Sequence, residues 1–352
     1  PDLGAIRSYP VSYLVYLPGI QRDRIVDYSN MALRIVFTYG KRGTVDRNLP
    51  MKIRNTLLAL LHLSVALATA TDADVRQCGT QYLRQHAAEF RLPSFKSGRF
   101  AQQADEIKVG SQRDFLVRVR SSIIPATCRF VGDNCYVFVE DVQWAENGGP
   151  VLQRDTDFLG ELFDIATPAD PTRGLFELEA DVFGNLPDVD DDPRIYILIL
   201  ELDPNLLGAF DPEIATDPNP DLRRDLIFIN STVVVSNHYA AGGTLAHELQ
   251  HLIHWGHDED EEIWLDEGLS GYAELASGFP EIDTAVVPEF LRTPGIDVTR
   301  WDGRAYSYGS TYLYVAFLAE RFGIGLMADL VGEPRNGIDS VDATLVPFQQ
   351  DF

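Results

Sequence analysis

Two histidines one helical turn apart, inside an otherwise apolar stretch, constrain this chain more than any other feature. The segment Thr244-Leu245-Ala246-His247-Glu248-Leu249-Gln250-His251-Leu252-Ile253-His254-Trp255 reads as a helix, with Gly242 and Gly243 before it and Gly256 after it. Leu245, Leu249, Leu252 and Ile253 already make the helix apolar, which counts against histidines that serve only to pack it. Residues four apart project from one face, so the two imidazoles can converge on a single Zn²⁺. Glu248 lies about 100° round the helix. There it reaches a water at the metal without ligating it, which is the position of a general base. The plainer alternative is a core helix whose histidines only hydrogen-bond.

A third ligand decides between these readings, and two residues compete for it. His257 stands six residues after His251, the spacing of the metzincin pattern HExxHxxGxxH, but the glycine of that pattern is His254 here and no Met-turn follows. Glu267 lies sixteen positions past His251, in Ile263-Trp264-Leu265-Asp266-Glu267-Gly268-Leu269, a second helix after the acidic loop Asp258 to Glu262. A helix, a loop and a returning helix bring its carboxylate to the metal face, completing a His₂Glu set with an open position. Glu267 is the favoured reading, which leaves His254 and His257 as ordinary helix-end and loop residues.

Upstream, Met51-Lys52-Ile53-Arg54 supplies two cations, Leu57 to Ala68 runs apolar apart from His62 and Ser64, and Ala68-Thr69-Ala70 fits an A-x-A cleavage site. That order is a secretory signal peptide over 51–70, and the apolar run is short of the ~20 residues needed to span a bilayer. Residues 1–50 are then expected to be upstream sequence outside the native product, and the mature chain carries no membrane span. The whole chain has 352 residues, 29 Lys+Arg and 53 Asp+Glu, a net charge of −24. Removing 1–70 takes away nine cations and four acids, leaving 20 and 49, a net charge of −29. So acidic a surface argues against nucleic acid or anionic lipid as partner.

Export permits disulfides, and Cys128 and Cys135 bracket a possible turn, so a local bridge is expected, with two free buried thiols as the alternative. Cys78 is unpaired either way. Phe115-Leu116-Val117-Arg118-Val119 and Tyr136-Val137-Phe138-Val139 read as strands of a small β-rich region over 71–150, bounded by Asn147-Gly148-Gly149-Pro150. Helical periodicity begins with Phe158-Leu159-Glu161-Leu162-Phe163. Arg194 to Leu200 and Leu226 to Asn230 read as buried strands. The acidic turn Asp188-Val189-Asp190-Asp191-Asp192-Pro193 can offer oxygens to Ca²⁺, although a solvated loop is the preferred reading. Ala316 to Phe322 forms a helix stopped by Gly323, and 151–352 is expected to be a catalytic domain cut short at its carboxyl end.

Trp264-Leu265-Asp266-Glu267-Gly268 resembles the WLNEG block of aminopeptidase N-type gluzincins. The stretch from about Arg194 to Phe322 resembles the secreted hyicolysin-type gluzincin metallopeptidases. Gly208-Ala209-Phe210, His247-Glu248-Leu249-Gln250-His251 and Tyr306-Ser307-Tyr308-Gly309-Ser310 carry the rest of the likeness. The resemblance implies an α+β fold, with a mixed sheet, an active-site helix and a mainly helical subdomain. It implies zinc at His247, His251 and Glu267, Glu248 as base, Tyr306 as the oxyanion donor with Tyr308 or Tyr312 as alternatives, and protein or peptide substrates. The GxMEN motif that holds a substrate's free amine is absent, which favours internal cleavage over an aminopeptidase. A silent surface-binding protein on the same fold is the other alternative, opposed by the intact Glu248. Position 271, where thermolysin-like enzymes place an aspartate behind a zinc histidine, is Gly, and Glu274 is the candidate to replace it.

Overall fold

The computed structural model describes residues 78–86, 90, 106–220, 222–280, 286–293 and 295–352. The upstream stretch 1–50 and the signal segment 51–70 lie outside the described residues.

Strands β1 (Gln112–Val117), β2 (Ser122–Val131) and β3 (Cys135–Glu140) follow a short helix, α1 (Gly79–Gln85). Helices α2 (Gln153–Asp164) and α3 (Leu175–Phe183) lead to β4 (Ile195–Leu200), β5 (Gly208–Phe210), α4 (Pro212–Ala215) and β6 (Leu226–Asn230). The remainder is helical: α5 (Ser231–Ser236), α6 (His238–His257), α7 (Ile263–Ala276), α8 (Val287–Arg292), α9 (Ala305–Phe322), α10 (Leu326–Val331) and α11 (Ile338–Leu345). The described chain is therefore mixed α and β, with one six-stranded sheet in the order β1-β2-β3-β4-β6-β5. The first three strands pair antiparallel, β3, β4 and β6 run parallel, and β5 returns antiparallel along the edge of β6.

The period-2 pattern of these strands divides the core in two. Cys135, Val137, Ile197, Ile199, Ile227 and Ile229 face the helical side with residues of α2, α3 and α6. Tyr136, Phe138, Leu198 and Phe228 face the other side, where Leu83 of α1 and Phe115 join them. All six residues of β4 are buried, as a parallel strand covered on both faces requires. Each such Ile or Leu contributes roughly 1.5–3 kcal/mol.

The same alternation overturns the expected bridge between Cys128 and Cys135. Register places Cys128 opposite Phe138, and the two thiols sit on opposite faces of the sheet. Both are free and buried, and burial pushes Cys128 up to about 12. Nor does the sheet divide at Pro150, because β3 on one side pairs directly with β4 on the other. The strand expected to run through Val119 stops at Val117, where a 3₁₀ turn ends in Ser121 at φ 48°.

Helix α6 begins earlier than its glycines suggest. Asn237 caps it by accepting from the Tyr239 and Ala240 N–H groups, so Gly242 and Gly243 lie within the helix. A Cβ on Gly242 would stand 2.6 Å from the Phe279 ring, so glycine here serves close packing rather than a helix start. The Tyr306 segment and the helix expected over 316–322 form a single element, α9, stopped at Gly323 with φ 99°. No helix among the described residues is long and apolar enough to cross a membrane.

Candidate metal centre

Helix α6 carries His247 and His251, α7 carries Glu267, and the start of α1 brings Cys78 to them. One donor atom from each of these four buried residues lies within 4.8 Å of all the others. His247 Nε2 is 3.4 Å from Glu267 Oε2, His251 Nε2 is 3.6 Å from Glu267 Oε1, and Cys78 Sγ is 3.3 Å from His251 Nε2. Donors held ~2.0–2.3 Å from one ion at tetrahedral angles lie ~3.3–3.8 Å from each other. His247 Nε2 and both Glu267 oxygens are buried without a hydrogen bond, an arrangement that costs several kcal/mol unless a cation compensates it. The donor set therefore fits a metal ion on two independent grounds, spacing and unmet polarity.

The second nitrogen of each histidine is held from behind. His247 Nδ1 is 3.0 Å from Glu274 Oε1, so the residue singled out to replace the missing aspartate does stand there. His251 Nδ1 meets Ser270 Oγ and Asp266 Oδ1, each at 3.1 Å. A proton on each Nδ1 leaves each Nε2 lone pair facing the centre. Burial alone would raise the Asp266 and Glu267 carboxyls, but the adjoining histidines outweigh it. Asp266 is held well below its ordinary value, and Glu267 below its own. Gly268, next to Glu267, lets α7 approach α9 closely, since a Cβ there would lie 2.8 Å from Val315 Cγ2 and 2.9 Å from Thr311 O.

Glu248 is buried beside the cluster. Its Oε2 accepts from Thr80 Oγ1 at 2.6 Å and from the Phe210 N–H of β5 at 3.2 Å, and its Oε1 is 3.6 Å from Cys78 Sγ. Tyr306, expected as the oxyanion donor, is not in the cluster; its hydroxyl donates to Asp302 at the solvent side of α9. Tyr308 is there instead. Its buried hydroxyl accepts from the Cys78 N–H at 3.1 Å, and burial together with the Glu267 carboxylate pushes the phenol well above its ordinary value, keeping it a donor. His257 is remote as well, with Nε2 against the Asn185 carbonyl at 3.0 Å, so the metzincin spacing leads nowhere.

His254 is not an ordinary helix-end residue, because its Nδ1 shares Asp266 Oδ1 at 3.0 Å. Its Nε2 converges with Asp258 and Glu261 into a second donor group, in which His254 Nε2, Asp258 Oδ2 and Glu261 Oε2 have no hydrogen bond. Burial pushes Glu261 up to about 7. In the acidic turn, Asp188 and Asp190 converge with Asp225, and Arg224 lies 3.7 Å from Asp190.

Sequence reasoning missed Cys78, Thr80, Gln81 and Arg84. The run Cys78-Gly79-Thr80 carries no spacing that ties it to residues so far along the chain, and only the fold joins them. Compared with protein-family models and with curated proteins, the chain matches none.

Proposed function

We propose that this chain is a secreted zinc metalloendopeptidase of gluzincin type, with zinc held by His247, His251 and Glu267. The observation that carries this reading is the spacing of the buried donors, His247 Nε2 and both Glu267 oxygens among them without a hydrogen bond, with the Glu248 carboxylate beside them. Zinc, when bound, supplies Lewis acidity and makes a water easier to deprotonate. Glu248 takes the proton of the attacking water and returns it to the leaving amine. Tyr308 donates a hydrogen bond to the oxygen that gains charge as the carbonyl is attacked. Glu274 and Asp266 fix the histidine rings, so that little reorganisation accompanies the reaction. β5, at the sheet edge, offers the Phe210 N–H to the backbone of an extended substrate, which favours peptides of many sequences.

The test is zinc content of the chain and of its His247→Ala and Glu267→Ala variants, with casein cleavage measured beside it. Cys78 stands in the centre, so cleavage is compared between Cys78→Ala and Cys78→Ala/Glu248→Gln. One zinc lost in both ligand variants, with cleavage only where Glu248 is intact, is the expected result. Zinc without cleavage in either chain would favour a binding protein, preference for a free-amine dipeptide an aminopeptidase, and no zinc would end the metal reading.

A further inference from the structure

We infer that Cys78 is a fourth ligand of the metal and that Cys78 to Arg84 fills the substrate cleft, so that the chain is held latent by its own amino-terminal segment. This inference rests on the metal reading of the His247, His251 and Glu267 cluster. A catalytic zinc site keeps one position open for water or substrate. Here that position holds Cys78 Sγ, which completes the four-donor group. A thiolate is a strong ligand for zinc, and all four donor residues are buried. On ligation the Sγ–H bond would break, a sulfur–metal bond would form, and the proton would be released to solvent. The thiol thereby fills the open position and stands 3.6 Å from Glu248 Oε1, where an attacking water would need to lie.

The same segment also engages Tyr308, Glu248, the Phe210 N–H and Asp266. The Cys78 N–H donates to the Tyr308 hydroxyl, and the Thr80 hydroxyl donates to Glu248 Oε2. Thr80 Oγ1 also accepts from the Phe210 N–H at 2.7 Å, the β5 donor that an extended substrate would use. Gly79 makes this approach possible: a Cβ there would stand 2.3 Å from the Gly208 carbonyl oxygen and 2.7 Å from Ala209 Cβ. Gln81 Nε2 and Arg84 Nη1 donate to Asp266 Oδ2 at 2.9 and 3.0 Å, and Leu83 is buried in the sheet core. The segment is therefore docked by a row of side chains, and the thiol is the member that reaches the metal position.

The experiment loads the full chain with Co²⁺ and reads its absorption, then measures alkylation of Cys78 by iodoacetamide on its own peptide by mass, with Cys128 and Cys135 as internal references. Alkylation forms a sulfur–carbon bond with loss of iodide. The unmutated chain should show a sulfur-to-cobalt charge-transfer band, and Cys78→Ala should lose that band while still binding one cobalt. Alkylation of Cys78 should be slower by on the order of 100-fold with metal than after chelation, the protection of a locally closed segment. Gly79→Ala, which keeps the thiol but not the fit against β5, should speed it. Cobalt bound without the band, with Cys78 alkylated equally fast with and without metal, would overturn the inference and leave the metal site standing. No cobalt bound by the unmutated chain would overturn both. The alkylation comparison needs no variant, so misfolding of Cys78→Ala does not shelter the idea.

Discussion

Asp266 offers the sharpest test of how this centre is held. Its Oδ1 faces His251 Nδ1 and His254 Nδ1 at 3.1 and 3.0 Å, and its Oδ2 faces Gln81 Nε2 and Arg84 Nη1 at 2.9 and 3.0 Å. All four neighbours present N–H groups, so one carboxylate answers four donors. Asp266→Asn keeps the shape but supplies only one oxygen, and in either amide orientation two donors meet an NH₂ group. A hydrogen bond to a charged group contributes about 1.5–3 kcal/mol. The Arg84 side chain is 26% exposed, so its share is discounted for solvent screening. The loss of folding stability should be about 3 kcal/mol. Metal affinity should fall about tenfold, the low end of the effect of losing an orienting group, because Ser270 still holds the His251 ring. Urea unfolding in chelator reads the first figure, and competition with a chromophoric chelator reads the second. A variant with unchanged midpoint and unchanged affinity would show that Asp266 neither braces nor orients the centre.

Among the tyrosines, Tyr308→Phe in the Cys78→Ala background should lower kcat by on the order of 100-fold with KM little changed, as for loss of an oxyanion donor. Tyr306→Phe should leave kcat alone, and the opposite pattern would return that role to Tyr306. Gly268→Ala should destabilise the fold by about 1–3 kcal/mol through overpacking against Val315 and Thr311; no loss in a urea titration would mean that α7 and α9 yield at that point. Burial pushes Asp225 from its ordinary 3.8 up to about 7, so between those values the folded chain binds more protons than the unfolded one and stability falls as pH rises. That one group should cost roughly 2–3 kcal/mol between pH 5 and pH 8, and Asp225→Asn should remove this part of the slope in urea titrations at the two pH values. An unaltered slope would show that Asp225 is ionised in the fold throughout.

The candidate metal donors on α6 were legible because helical periodicity is local. Four residues bring His247 and His251 to one face whatever the rest of the chain does, and the buried strands Ile195–Leu200 and Leu226–Asn230 declare themselves by unbroken apolar runs. Tyr306 and Tyr308 show where local reasoning fails. Both lie on the same helix, and two residues are about 200° apart around it. The choice between them depends on which face of α9 meets α7, a tertiary fact. Cys128 and Cys135 fail in the same way, since nearness along the chain does not reveal which face of a sheet each thiol takes. Cys78 is the extreme case, 173 positions from His251 along the chain and 3.3 Å from it in space. A lone thiol next to a signal-like segment carries no pattern that points to such a partner.

The pairing of β3 with β4 sets what can be detached from this protein. A fragment beginning at Val151 would retain the histidines, both glutamates and Tyr308, and on motif grounds alone it would seem a self-sufficient unit. It would also strip β4 of one neighbour, leaving a row of unpaired backbone groups along six apolar residues, Ile195 to Leu200, which is the template on which chains add to one another edge to edge. The strands before Pro150 carry none of the proposed chemistry, yet they act as a selvedge, the woven border that keeps the sheet from unravelling into its neighbours.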